Sequence, residues 1–202
     1  MKFYESGDNS KPVIFLFPGT CCLYSSFEHV LDGLHSYFYT VTVSYDGFDP
    51  NEKTEFYSME DECEKIEQEI KKKYGGRIKA AYGCSLGGSF VSLLIQRKRI
   101  HIDHGIIGSS DMDEAGNLVA KLQASMVVPF MYKMVHTGAL PKFMQKKLSK
   151  TDEAKKELYN GFLNMFGIGK GGSPWITKQS IYNQFYSDLV TKVQHGIDVP
   201  GT

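Results

Sequence analysis

The 202-residue sequence predicts an α/β fold, with a doubly wound, mostly parallel sheet carrying a helical insertion. Three observations predict it. First, short strand-like apolar runs alternate with amphipathic helical runs between Val13 and Ile107, the pattern of a parallel sheet covered by helices. Second, one strand-to-helix junction, Gly83-Cys84-Ser85-Leu86-Gly87-Gly88, is built almost entirely of small residues and contains the pattern G-x-S-x-G. Third, from about Glu114 to Trp175 the strand signal stops and the pattern is helical throughout.

The elements follow in order. Val13-Ile14-Phe15-Leu16-Phe17 is a continuous apolar run ending in Pro18-Gly19, as suits a central strand buried on both faces. Phe27, Val30, Leu31, Leu34 and Phe38 fall at helical spacing, with Ser25 or Ser26 placed to cap the helix. Tyr39 to Tyr45 is β-branched and aromatic, hence a strand, and Asp46-Gly47-Phe48-Asp49-Pro50 breaks it. Met59, Cys63, Ile66 and Ile70 mark one face of a second helix. Ser58 is its N-cap, Asp61 stands at the capping-box position, Lys71-Lys72-Lys73 suits its C-terminal dipole, and Gly75-Gly76 stops it. A strand at Ile78–Tyr82, a helix at Ser89–Gln96 and a strand from about Ile102 to Ile107 complete the core.

Six of the eight methionines lie between Met112 and Met165, together with Phe130, Tyr132, Phe143, Tyr159, Phe162 and Phe166. This reads as a cap over the sheet. Methionine is flexible and polarizable, so such a lining suits a small apolar acyl group of variable shape; the alternative is an ordinary core beneath the cap helices. Lys142, Lys146, Lys147, Lys150, Lys155 and Lys156 read as a solvated face. Gly167-Ile168-Gly169-Lys170-Gly171-Gly172 lacks a preceding strand and a Ser or Thr after the lysine, so it reads as a cap loop rather than a phosphate loop. A last helix spans about Thr177 to Val193, with Ile181, Phe185 and Leu189 on one side. The domain reading is therefore residues 1–113 as core, 114–175 as helical cap, and 176–202 as a return helix of the core.

Composition excludes several classes. The 23 basic and 23 acidic residues leave no net charge, against a protein driven by charge onto nucleic acid or a membrane surface. Cys21, Cys22, Cys63 and Cys84 show no C-x-x-C spacing, so they read as reduced thiols and no metal is expected. The first residues are too polar for a signal peptide, and no apolar run reaches the ~18 residues of a membrane span. The reading is a soluble, cytoplasmic protein that needs no cofactor.

The chemistry centres on Ser85. A strand, a sharp glycine-lined turn and a helix are what a nucleophile elbow needs, because the serine Oγ must project above the sheet. The alternative is a glycine-rich turn with an idle serine. A serine hydroxyl needs a base, an acid to orient that base, and N–H donors for the developing oxyanion. The first donor is the Leu86 N–H, at the start of the elbow helix. The second is expected from the loop Phe17-Pro18-Gly19-Thr20-Cys21, through the N–H of Thr20 or Cys21.

Phe15-Leu16-Phe17-Pro18-Gly19-Thr20, Tyr45-Asp46-Gly47 and Gly83-Cys84-Ser85-Leu86-Gly87-Gly88 together resemble the α/β-hydrolase superfamily. The likeness is greatest to small capped hydrolases of the esterase/lipase and acyl-transferring type. One departure is Pro18-Gly19, where many members have His-Gly. The resemblance implies an acyl-serine mechanism and names no substrate. It also implies the chain order Ser, acid, His, with acid and base after strands beyond the cap. No such strands follow Val199-Pro200, so roughly fifty residues of the typical fold are expected to be missing from this chain.

Among the residues present, Asp111 is the candidate acid, in Gly108-Ser109-Ser110-Asp111-Met112-Asp113 after a strand; its alternative is a loop or capping role. His29, His35, His101 and His104 read as structural or solvated. His136 and His195 follow Ser85 and Asp111 in the chain but follow no strand. A chain without the base is nearly inert, and the second functional reading is a binding or scaffold protein on the same fold. Cys84 is a third, minor candidate for acyl chemistry. The unfinished sheet edge is expected to favour a homodimer.

Overall fold

The computed structural model describes residues 1–110, 114–140, 142, 146, 152–166 and 171–194. Its strands are β1 (Lys2–Ser6), β2 (Val13–Phe17), β3 (Tyr39–Ser44), β4 (Arg77–Cys84) and β5 (His101–Gly108). Its helices are α1 (Glu28–His35), α2 (Met59–Tyr74), α3 (Leu86–Arg97), α4 (Asn117–Thr137), α5 (Glu153–Met165) and α6 (Lys178–Val190).

The sheet order is β1-β3-β2-β4-β5. The β3–β2, β2–β4 and β4–β5 pairs are parallel, and β1 runs antiparallel to β3, with Lys2 opposite Ser44 and Ser6 opposite Thr40. The mostly parallel sheet was legible in the sequence; β1 was not. Its five residues alternate weakly and lie partly exposed at the sheet edge, so they lack the apolar run that marks β2. β2 sits in the middle, which is why Ile14 to Phe17 are all buried.

The larger core lies on the face covered by α2 and α3. It gathers Phe15, Phe17, Val41, Met59, Ile66, Ile70, Phe90 and Leu94. The smaller core, Ile14, Leu16, Phe27 and Ala80, is covered by Leu31 and Leu34 of α1 with Phe38. Phe38 serves this core from just beyond α1, which ends at His35. The expected serine cap of α1 is replaced by a 3₁₀ turn at Tyr24–Phe27, after which Phe27 leads into the helix without a side-chain cap. α2 begins and ends as its sequence dictates. Ser58 Oγ accepts the Asp61 N–H at 3.1 Å, and Gly75 closes the helix at φ 64°.

α6 departs from its apolar pattern. Ile181 is buried, but so are Ser180, Gln184 and Ser187, while Phe185 and Leu189 are only half-buried. These polar side chains bond to loop backbone. Ser180 Oγ accepts the Phe56 N–H at 3.2 Å, Ser187 Oγ accepts the Met59 N–H at 2.7 Å, and Asn183 Nδ2 donates to the Phe56 carbonyl at 2.7 Å. The helix clamps the segment that leads into α2. Of the Gly167–Gly172 run, only Gly171 and Gly172 are described. Gly172 packs on the backbone of Gly138, the left-handed cap of α4, and Ser173 N–H donates to the Val135 carbonyl at 2.7 Å.

Candidate active site

The parallel strands β2, β3, β4 and β5 all end on one side of the sheet, where α/β proteins place their ligands. Four non-glycine residues among those described hold positive φ, and three of them, Cys21 (60°), Ser85 (53°) and Ser109 (51°), lie on loops at this edge. Such conformations cost of order 1–3 kcal/mol each and persist where the surroundings impose them.

Ser85 is the joint between β4 and α3, at φ 53° and ψ −124°, and it is exposed. The surrounding glycines explain the tightness of the turn. A Cβ on Gly83 would run into the backbone of Gly87, and a Cβ on Gly87 would run into the Phe17 carbonyl. A Cβ on Gly88 would lie 2.7 Å from Ser110 Cβ and 2.9 Å from Ile107 Cγ2. The elbow is therefore pressed against the ends of β2 and β5. The Ser85 N–H donates to the Gly108 carbonyl at 2.8 Å, and the Ser85 carbonyl accepts from Gly88 N–H at 2.8 Å. Leu86, first residue of α3, presents its N–H at the helix N-terminus, where N–H groups lack an intrahelical acceptor and the dipole is positive.

The loop after β2 lies directly beside the serine. A Cβ on Gly19 would be 3.5 Å from Ser85 Cβ and 3.2 Å from the Cys84 carbonyl, so glycine lets the two backbones meet. Cys22 N–H donates to the Gly19 carbonyl at 3.0 Å, closing a turn with Cys21 at its third position. Two outside side chains hold this turn. Tyr45 Oη donates to the Pro18 carbonyl at 3.1 Å, and Gln184 Oε1 accepts the Cys21 N–H at 2.8 Å. The second contact corrects one expectation: the Cys21 N–H is already engaged, which leaves Thr20 as the loop's candidate donor. Burial keeps the Tyr45 hydroxyl protonated, pushing its pKa well above the usual value, with the Glu62 charge adding to the effect.

No family model matches the sequence, and no curated protein matches it. Solved structures do match. An α/β-hydrolase family protein from Desulfitobacterium hafniense superposes with a TM-score of 0.72 at 14% identity, over 94% of this chain and 72% of its own. A thermophilic esterase from Thermogutta terrifontis gives 0.68 at 13%, over 93% and 66%. MenH from S. aureus gives 0.64 at 10%, over 94% and 72%. This chain has the α/β-hydrolase fold. It spans 66–72% of the length of these three proteins.

Ser85 and Leu86 stand at the elbow, and Gly19 sets the loop that carries Thr20 and Cys21 against it. Asp111 lies outside the described residues, as do Asp113 and His195. The chain just before Asp111 is described. Gly108 bonds to Ser85, and Ser110 Oγ lies 3.1 Å from Ser89 Oγ. None of the described histidines is hydrogen-bonded to Ser85. His35 bonds to Ser6 Oγ at 2.9 Å, His101 pairs with Asp103 at 3.1 Å, and His136 rests against the Tyr132 ring. His29 and His104 are exposed.

The four cysteines are free thiols. Burial pushes Cys21 and Cys63 well above the usual thiol range, and Cys22 up to about 12, so these three are poor nucleophiles. The carboxylates of Asp46, Asp61 and Glu62 converge beside the loop after β3, and Lys65 Nζ reaches all three, at 2.6, 2.5 and 3.0 Å. No helix among the described residues is long and apolar enough to cross a membrane.

Tyr45 and Gln184 were not singled out in the sequence as site residues. Tyr45 looked like the end of a strand. Gln184 is one polar residue in a helical run, and nothing local marks it as buried. The available signal was the spacing of Ser180, Asn183, Gln184 and Ser187, which share one helical face.

Proposed function

We propose that the protein is a serine hydrolase that cleaves a carboxylic ester or related acyl bond through an acyl-serine intermediate. The observation that carries this reading is Ser85 itself, an exposed serine held at φ 53° between β4 and α3. An idle serine gives no reason to keep that strain, whereas a nucleophile must stand clear of the sheet. Ser85 Oγ attacks the acyl carbon, and the carbonyl oxygen takes the negative charge. The Leu86 and Thr20 N–H groups then donate to it, and collapse of this tetrahedral adduct breaks the acyl–oxygen bond, the alcohol leaving with the serine's proton, carried across by a base outside the described residues. Asp111 is proposed as the acid. In the sequence it follows β5, three positions beyond Gly108, whose carbonyl accepts the Ser85 N–H. The cap residues select a small apolar acyl group.

A second reading, a binding protein on the same fold, is favoured by one observation. None of the described residues hydrogen-bonds the Ser85 hydroxyl, so no base is in place among them. Loss of a whole triad costs about a millionfold in turnover, with roughly a thousandfold over water surviving from oxyanion stabilisation and binding. Turnover of short-chain p-nitrophenyl esters separates the two. The hydrolase reading expects turnover that Ser85→Ala abolishes. Turnover absent in the wild type, or unchanged in Ser85→Ala, favours the binding protein.

We also propose that a second copy of the chain pairs along the outer edge of β5. That edge carries no strand among the described residues, and Ile106 and Ile107 beside it are 47% and 41% exposed. An identical strand offers the complementary row of N–H and C=O groups in an antiparallel, two-fold arrangement.

A further inference from the structure

Cys21 occupies a conformation that its residue type disfavours, in the loop that lies against the nucleophile. It is the third residue of the turn closed by Cys22 N–H and the Gly19 carbonyl, at φ 60°. Glycine or asparagine is the usual occupant of a positive-φ position in a turn. The Cys21 side chain is fully buried, so the strain is not relieved by solvent.

One long-range contact holds it. Gln184 reaches from α6 across 163 positions of sequence, and its Oε1 accepts the Cys21 N–H at 2.8 Å in a buried setting. Gln184 is 0% exposed, and its Nε2 has no hydrogen-bond partner among the described residues. A buried amide whose two N–H donors are unsatisfied is unfavourable compared with an apolar side chain of similar size. What the glutamine contributes in return is its single acceptor on Cys21.

We propose that Gln184 is a positioning residue that fixes the oxyanion loop beside Ser85. A trans peptide is planar, so holding the Cys21 N–H fixes the plane between Thr20 and Cys21. That plane meets, at Thr20 Cα, the Gly19–Thr20 plane, which carries the Thr20 N–H, the donor left for the developing oxyanion, and whose Gly19 carbonyl accepts the Cys22 N–H at 3.0 Å. Without the acceptor, Cys21 relaxes from positive φ, the turn that Cys22 N–H closes on the Gly19 carbonyl opens, and the Gly19–Thr20 plane turns the Thr20 N–H off its target. The inference rests on the proposed hydrolase reading for its catalytic consequence, but not for its structural one.

Two variants of the full chain test it. Gln184→Met keeps the volume and removes the acceptor. Gln184→Glu keeps an acceptor oxygen. Phosphonylation of Ser85 by a fluorophosphonate is followed as a rate constant and, separately, as an apparent affinity. Loss of one oxyanion donor costs about 10²–10³ in rate, so its displacement is expected to cost about 10–100-fold in Gln184→Met, with the apparent affinity unchanged. Gln184→Glu is expected to stay within about threefold of the wild type. In a Cys21→Gly background, where positive φ needs no support, Gln184→Met is expected to cost less than about threefold.

Hydrogen exchange of the Cys21 amide is measured in the same proteins and does not depend on catalysis. Protection in the wild type and Gln184→Glu, lost in Gln184→Met, supports the role. Equal phosphonylation rates in the wild type and Gln184→Met overturn it, as does an equal loss in Gln184→Glu and Gln184→Met. Should the wild type not be labelled at all, the hydrolase reading fails. The exchange measurement then decides alone, and an unprotected wild-type amide, or protection kept in Gln184→Met, overturns the positioning role.

Discussion

Ser85, Gly83 and Gly87 show how three residues make one feature. The two glycines let the backbone close so far that no Cβ fits at either position, and the serine between them takes a conformation that glycine would hold without strain. This predicts a trade between stability and chemistry at a single position. Ser85→Gly is expected to remove the nucleophile and to raise stability by about 1 kcal/mol, or roughly 2–4 °C in a domain of this size. Thermal unfolding checks it. A Ser85→Gly protein less stable than the wild type by a similar amount contradicts a strained elbow. The glycines were legible in the sequence because their spacing has only a few structural uses. The engagement of Cys21 was not legible, because its partner lies 163 residues away and no local pattern announces it.

At the scale of elements, α6 and α2 brace the loops that carry the site. The apolar spacing of α6 suggested a face formed by Ile181, Phe185 and Leu189. The buried face is instead largely polar, because α6 packs on loop backbone whose N–H and C=O groups need partners. Sequence periodicity detects greasy faces and passes over such hydrogen-bonding ones. β1 was missed for a related reason: an edge strand with half-exposed residues carries little hydrophobic signal. The helix α2 was read almost to the residue, since Ser58 and Gly75 are local start and stop chemistry.

The α2 acid Glu62 adds a pH dependence. Burial first, then the charge of Asp46, pushes its carboxyl up from 4.5 to about 7. The folded state thus holds the proton more tightly than the unfolded one. The resulting stability is complete below about pH 4.5 and is lost as the pH rises to about 7. Asp46 acts in the opposite sense. Burial alone would raise it, but hydrogen bonds from Lys65 and the terminal ammonium hold it below its ordinary 3.8. Its contribution is present above 3.8 and is lost as the pH falls through that lower value. Glu62→Gln is therefore expected to flatten the stability change between pH 5 and 7.5 by up to about 3 kcal/mol. Urea unfolding at the two pH values measures this, and equal slopes for the two proteins contradict it.

For the whole molecule, the sheet brings the ends of β2, β4 and β5 to one edge, and Ser85, α3 and the loop after β2 meet there. The fold was legible because the alternation of strands and helices is written in the hydrophobic pattern between Val13 and Ile107. Among the described residues, Ile106 and Ile107 of β5 are exposed, and so, on α4, are Leu118 at 82% and Met126 at 72%. Sedimentation is expected to show concentration-dependent self-association. Ile106→Lys, which places a charge beside the open strand edge, is expected to weaken it at least about tenfold. A wild type that remains monomeric to hundreds of micromolar contradicts pairing through β5.

The central claim is that Ser85 is a nucleophile held ready by the fold. Peptide mass spectrometry of the full chain after treatment with a fluorophosphonate tests it most directly. The predicted result is one adduct, on the peptide containing Ser85, absent from Ser85→Ala. A chain that stays unmodified, or an adduct that persists in Ser85→Ala, would contradict it.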